Sequence, residues 1–239
     1  MSHHNTYRAA FCLGLMWFLG MNILWAGPLV VGMSADYPPM AFREGEKIQG
    51  FEVDLAQLIA TEMGQELEIK DMPFSSLFPS LNAGQVDMVI SSVTATPLRA
   101  QNFDFSDVYY AADLALMFRK DHEPALDLKG VKVGCQSGSI MALWVEQQAP
   151  GAEAVFMDLN PPLVEALKSG HLMGVVLERA QASAFSTQDP ALAFKNLGQA
   201  PQGYAIVMPK GSRYTAQVNG ILERRKTDIE KLKQQWNLF

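Results

Sequence analysis

The chain has 239 residues, 49% of them hydrophobic and 18% charged, and a formal net charge of −6. It is long enough for one large or two small domains with substantial cores, and its acidic balance, with no basic run, excludes nucleic acid and anionic membrane surfaces as expected partners. Two cysteines and four histidines leave little for disulfide or metal chemistry.

The first residues read as a secretory signal. A short leading segment holds His3, His4 and Arg8, no charged residue occurs from Ala9 to Ala35, and the apolar centre runs from Phe11 to Trp25. Cleavage is expected after Ala26, giving a signal peptide of residues 1–26; an uncleaved anchor is the alternative. Removing Cys12 leaves Cys135 alone, so the mature chain has no internal disulfide. Cys135 ends an apolar run and reads as a small buried hydrophobe. His122 and His171 have no ligand-spaced partners, so neither a metal nor another cofactor is expected.

After the signal, Leu29 to Met33 reads as a strand, and Ser34 to Pro39 as a loop because consecutive prolines interrupt both strand and helix. Leu55, Leu58, Ile59 and Met63 recur at helical spacing, with Glu52 and Asp54 where the helix dipole favours acids, and Gly64 ends the run. Leu67 to Lys70 is a second strand, Ser76 to Ala83 a second helix and Val86 to Ile90 a third strand. This alternation predicts a parallel sheet covered by helices. Ser91, Ser92, Thr94 and Thr96 follow the third strand, and Thr96-Pro97 is a helix start, a capping hydroxyl before a proline at the first helical position. Arg99 lies in that first turn. A cation there is mildly unfavourable unless it holds a small planar anion together with the exposed backbone N–H groups. The competing reading is a polar turn with a solvated arginine.

A second series repeats the order: strand Val131 to Cys135, loop Gln136 to Ser139, helix Ile140 to Gln148, strand Ala154 to Met157, helix Leu163 to Ser169, strand Met173 to Leu177. Leu77, Leu81, Gly84, Val89 and Ile90 correspond to Leu163, Leu167, Gly170, Val175 and Val176 at a constant offset of 86. Two similar lobes follow from this. The offset puts Glu178 where Ser92 stands. Ligands of open α/β sheets sit outside the carboxyl ends of the strands, so Ser91 to Arg99, the Gln136 to Ser139 loop and Glu178 are expected to face a shared cleft. A cation on one lobe and an anion on the other suit a zwitterion. The chain ends in one amphipathic helix or two short ones, Tyr214 to Trp236, with Val218, Ile221, Leu222, Ile229, Leu232 and Trp236 on one face and the basic residues solvated.

Gly50 to Met63, Ser91 to Arg99, Phe103-Asp104-Phe105-Ser106-Asp107, Gln136-Ser137-Gly138-Ser139 and Lys168-Ser169-Gly170, taken in this order, resemble the bacterial periplasmic amino-acid-binding proteins, extracellular solute-binding family 3, over nearly the whole mature chain. The resemblance implies a two-lobed α/β clamp of the type II periplasmic-binding-protein fold, each lobe a mainly parallel sheet flanked by helices. Two hinge crossings are expected, near Ala111 to Leu114 and near Tyr204 to Val207. Residues 27–111 would form the first lobe, 112–205 the second, and 206–239 would complete the first. It further implies that Arg99 and Thr94, with the Ser139 to Ile140 backbone, bind a ligand α-carboxylate. Ser92 and Glu178 would hold the α-ammonium, Tyr37 and Phe74 would sandwich the ligand side chain, and Ser34 and Ser91 would make polar contacts to it. Three positions depart from the family pattern. Glu178 replaces the usual aspartate and moves the carboxylate out by about 1.5 Å; Ser34 stands where binders of lysine-like cations often carry an acid; Met40 replaces a commoner aromatic.

The Val-Leu-Glu context of Glu178 is similar to arginine-binding members, so the expected function is a monomeric periplasmic substrate-binding component of an amino-acid ABC transporter. It would capture a polar or basic L-amino acid, arginine first, for an inner-membrane permease, and would not be an enzyme. The alternatives are an exported cyclohexadienyl (prephenate or arogenate) dehydratase-like enzyme, with Glu178 as general acid, and a ligand sensor.

Overall fold

In the computed structural model the described residues are 27–124, 128–200 and 203–238; the expected signal segment lies outside them. The chain opens with β1 (Leu29–Met33), then a small antiparallel ribbon of β2 (Asp36–Tyr37), β3 (Ala41–Glu44) and β4 (Lys47–Gln49). The ribbon occupies part of what reads in the sequence as loop, because Met40 turns back onto Tyr37 (N to O, 2.8 Å) and β3 then has a partner. Gly50 follows with φ +132°, and a Cβ there would sit 2.2 Å from the Met40 carbonyl oxygen, so only glycine lets the ribbon lie this close to the next helix.

That helix, α1 (Phe51–Glu62), buries Phe51, Leu55, Ala56, Ile59 and Ala60 along one stripe and ends where Gly64 takes φ +67°. Next come β5 (Leu67–Asp71), α2 (Phe74–Asn82) and β6 (Met88–Val89), which is shorter than the apolar run around it. After the hydroxyl-rich turn, Thr96 caps α3 (Pro97–Ala100) by accepting from Arg99 N at 3.3 Å, and β7 (Phe103–Phe105) follows.

The chain then enters a second body with β8 (Asp113–Arg119), β9 (Lys132–Gln136), α4 (Ile140–Gln148), β10 (Glu153–Met157), α5 (Asn160–Lys168), β11 (Gly174–Glu178), α6 (Arg179–Gln188) and β12 (Leu192–Gln199). It returns through β13 (Val207–Pro209) and closes with α7 (Tyr214–Arg224) and α8 (Lys226–Gln235). The tail is therefore two helices. Trp236 Nε1 donates to Asp54 of α1 at 2.8 Å, and Arg224 and Arg225 approach Glu62 at 3.6 and 3.5 Å, so this tail packs on the first body.

The two bodies share one sheet plan, β5-β1-β6-β13-β7 and β10-β9-β11-β8-β12. In each, the first three strands are parallel and the last two join antiparallel. The molecule is a two-lobed α/β structure. The internal repeat is structural: α2 and α5 start 86 residues apart, at 74 and 160, and Gly84 and Gly170 take φ +67° and +78° just beyond them. Leu77 and Leu163 are fully buried at matching positions, each burial contributing about 2 to 3 kcal/mol. Cys135 is a buried free thiol pushed up to about 12 by its surroundings, too weakly acidic for nucleophilic chemistry.

The segments linking the bodies run side by side. Tyr204 N donates to Tyr110 O (2.7 Å) and Ala200 N to Ala112 O (2.9 Å), with the Tyr110 and Tyr204 rings stacked at 5.8 Å.

Candidate functional site

Strand ends converge from both lobes on one cleft. The first lobe contributes Ser34, just past β1, with Asp36 and Tyr37 of the ribbon, Phe74 at the start of α2, Ser91 and Ser92 after β6, and Arg99 of α3. The facing wall is Gln136 at the end of β9 and Ser139, Ile140 and Met141 at the start of α4.

Arg99 is held by Nη1 to Thr94 O (2.8 Å) and by Nη2 across the cleft to Gly138 O (2.7 Å). Its guanidinium lies 5.0 Å from the Phe78 ring centre and 6.0 Å from that of Phe74. No carboxylate among the described residues pairs with it, and burial alone pushes its pKa down to about 10. Opposite it, the Ser139 side chain caps α4 by accepting from Ala142 N at 3.2 Å, which leaves the N–H groups of Ile140 and Met141 without intrahelical acceptors. A desolvated cation facing a helix N-terminus is a site for a small anion.

Ser92 takes φ +51°, a left-handed conformation rare for serine, and Glu52 holds it there. The fully buried Glu52 Oε1 accepts from Ser92 N (2.6 Å), Ser92 Oγ (2.9 Å) and the Tyr109 hydroxyl (2.5 Å). Burial raises the Glu52 pKa and these three bonds oppose the rise. Because the Ser92 hydroxyl donates to Glu52, what it presents to the cleft is lone pairs, which suit an ammonium. Ser91 Oγ accepts from Ser34 N at 3.0 Å and fixes the neighbouring strand end.

Two of the residues singled out from the sequence do not line the cleft. Thr94 is buried, and its hydroxyl has no hydrogen-bond partner. Glu178, 1% exposed, caps α6 by accepting from Ala180 N at 2.9 Å. Desolvation pushes its carboxyl up to about 7 against the pull of the helix N–H groups and Arg179. Tyr37, which adjoins two prolines, is nonetheless buried, its hydroxyl 3.4 Å from that of Tyr204.

Asp36, Gln136 and Met141 line the cleft without having been singled out. For Asp36 a signal existed: Ser34 and Asp36 are two residues apart at an extended strand end, which puts both side chains on one face. Ser34 Oγ donates to Asp36 Oδ1 at 2.8 Å, and Asn160 N of α5, in the other lobe, donates to Oδ2 at 2.7 Å. Leu159, the residue that precedes α5, has no side chain able to cap it, so the aspartate of the facing lobe does so. Burial raises the Asp36 pKa. With Arg99 on Gly138, this bond closes the lobes onto each other.

The family model of the bacterial extracellular solute-binding proteins, family 3, matches residues 29–239. The arginine-binding extracellular protein ArtP of Bacillus subtilis (strain 168) is 36% identical over 87% of this chain and 85% of its own length. The structure of an ancestral arginine-binding protein bound to glutamine superposes with a TM-score of 0.84 at 34% identity, covering 88% of this chain and 98% of that one. That of the ancestral amino acid-binding protein AncCDT-1, a precursor of cyclohexadienyl dehydratase, gives 0.81 at 27% identity over 88% and 95%. With the repeated sheet plan, the interlobe cleft and a family match spanning both lobes, the chain belongs to the bacterial extracellular solute-binding proteins of family 3.

Proposed function

We propose that this chain is the substrate-binding component of an amino-acid ABC transporter, a monomer that captures an L-amino acid, arginine foremost, by lobe closure and delivers it to an inner-membrane permease. The observation that carries the reading is Arg99: a buried guanidinium with no carboxylate partner among the described residues, facing the Ser139-capped N-terminus of α4. The ligand α-carboxylate completes it. Ser139 and Ile140 add donors, Thr94 has an unpartnered hydroxyl, and Ser92 serves the α-ammonium, with Tyr37 and Phe74 flanking the side chain. Ser34 and Ser91 complete the polar rim. The first lobe comprises residues 27–111 and 206–239, and the second 112–205. The protein acts outside the cytoplasm after loss of residues 1–26, and no catalytic step is assigned to it. Micromolar affinity, about −8 kcal/mol, is within reach of a charge-paired zwitterion in a closing cleft. The likeness to ArtP supports arginine over other amino acids.

A second reading, an exported dehydratase acting on cyclohexadienyl acids, draws on Glu178, whose carboxyl, raised to about 7, retains a proton near neutral pH. One experiment separates the two. Refolded, ligand-free protein is titrated calorimetrically with the twenty amino acids, ornithine, citrulline and prephenate. Saturable binding of arginine or another polar amino acid, without turnover, is expected. Silence across all amino acids, with aromatic product released from prephenate, would establish the enzyme instead.

A further inference from the structure

The cleft holds two unpaired charges. Arg99 has no acid within ion-pair distance and Asp36 no cation among the described residues, and the two do not pair with each other although they line the same cavity. Opposite charges left apart in a partly desolvated space each call for a counter-ion from outside. A ligand that satisfies both has an anion at one end and a cation at the other. On the reading above, on which this inference rests, Arg99 takes the α-carboxylate, and Ser92 takes the ammonium bonded to the same carbon. Asp36 then remains for the side chain.

Asp36 is built for that part. Its carboxylate has about four acceptor positions; Ser34 Oγ and Asn160 N occupy one on each oxygen, fixing the group and leaving a lone pair on each. Asp71, an acid whose charge bears on Asp36, is engaged by Arg43 Nη2 at 2.6 Å and by Ala35 N at 3.0 Å, so it does not compete for a ligand cation. Gln181 of α6 reaches the Asp36 carbonyl with its amide nitrogen (3.5 Å), while its fully buried Oε1 has no partner. The Asp36 carboxylate is an acceptor, and a planar guanidinium carries five donors in a fixed fork.

We infer that Asp36 is the specificity-determining residue of this cleft, the counter-ion for a cationic ligand side chain, and that the Asn160 N–H of the opposite lobe orients it on closure. A cationic ligand is thereby coupled to closure: the same carboxylate binds its side chain and caps α5.

The test compares L-arginine with L-citrulline, which has the same length and a neutral urea in place of the guanidinium, on wild type and Asp36→Asn by calorimetry. The substitution keeps an oxygen to accept from Asn160 N and removes the charge. Wild type is expected to prefer arginine by about thirtyfold or more, as the loss of one charge-assisted contact implies, and Asp36→Asn to bring the ratio within about threefold. An equal loss of affinity for both ligands would make Asp36 a closure latch or an ammonium ligand and overturn the inference. So would a wild-type ratio near one, or a ratio unchanged in Asp36→Asn. If wild type bound neither, nor any other amino acid, the receptor reading itself would fall and this inference with it. Far-ultraviolet circular dichroism and the melting temperature confirm that the variant is folded.

Discussion

Glu178 gives the most direct physical test of the fold. Its carboxyl lies at about 7 in the folded chain, against 4.5 for an unburied glutamate, with desolvation as the main cause. At roughly 1.4 kcal/mol per pH unit of displacement, ionising it in place costs the folded state about 3 kcal/mol. Below pH 4.5 the group is protonated folded and unfolded, and no penalty exists. Between 4.5 and 7 the unfolded chain has released the proton and the folded chain has not, so stability falls as pH rises; above 7 the full loss is in place. Asp36 and Glu52 are displaced in the same direction, so the wild-type slope is a composite. Glu178→Gln isolates one part, because the glutamine oxygen still accepts from Ala180 N. Urea unfolding of the ligand-free proteins from pH 4 to 8 is the assay. The stability of Glu178→Gln relative to wild type should rise by about 3 kcal/mol across that range. A difference independent of pH would refute the displacement, and with it the account of Glu178 as a desolvated acid.

Arg99→Ala should weaken amino-acid binding by about 3 to 5 kcal/mol, more than a hundredfold, since it strands the ligand carboxylate; calorimetric affinity retained within a few-fold would remove Arg99 from the site. Gly50→Ala drives a methyl group onto the Met40 carbonyl at a φ that L residues rarely adopt. It should cost at least ~2 kcal/mol, a fall of roughly 5 °C in melting temperature, and an unchanged melt would mean that the ribbon is free to move away from α1.

Much of this architecture is readable before any coordinates. The helix Ile140 to Gln148 has the bounds its pattern predicts, the Thr96-Pro97 start is a cap, and the 86-residue offset marks the repeated sheet plan. Local chemistry sets these features, so local sequence reports them. The ribbon β2 to β4 escapes because strands of two to four residues separated by prolines carry no usable periodicity. The helix Arg179–Gln188 escapes as well: its apolar residues are mostly alanines, and its N-cap is a glutamate that otherwise reads as part of a binding site. Asp36 is the instructive case. Beside Tyr37-Pro38-Pro39 it looks like a turn acid, and its role depends on Asn160, 124 positions away. Glu178 shows the converse, since the repeat places it correctly at a strand end but only the capping bond from Ala180 N shows where its carboxylate goes.

The late return of the chain to its first sheet through β13 governs the order in which this molecule can come into being. β6 and β7 make no ladder with each other; they are joined through β13, whose residues 207–209 lie beyond the whole second body. During synthesis the second sheet has all five strands, β8 to β12, in one uninterrupted run and can assemble as soon as they emerge. The first sheet waits, with a gap where its fourth strand belongs, until residues 207–209 are made after the whole second body. A chain cut short at residue 206 therefore keeps its first half unfinished and accessible to proteases, although that half contains most of the cleft.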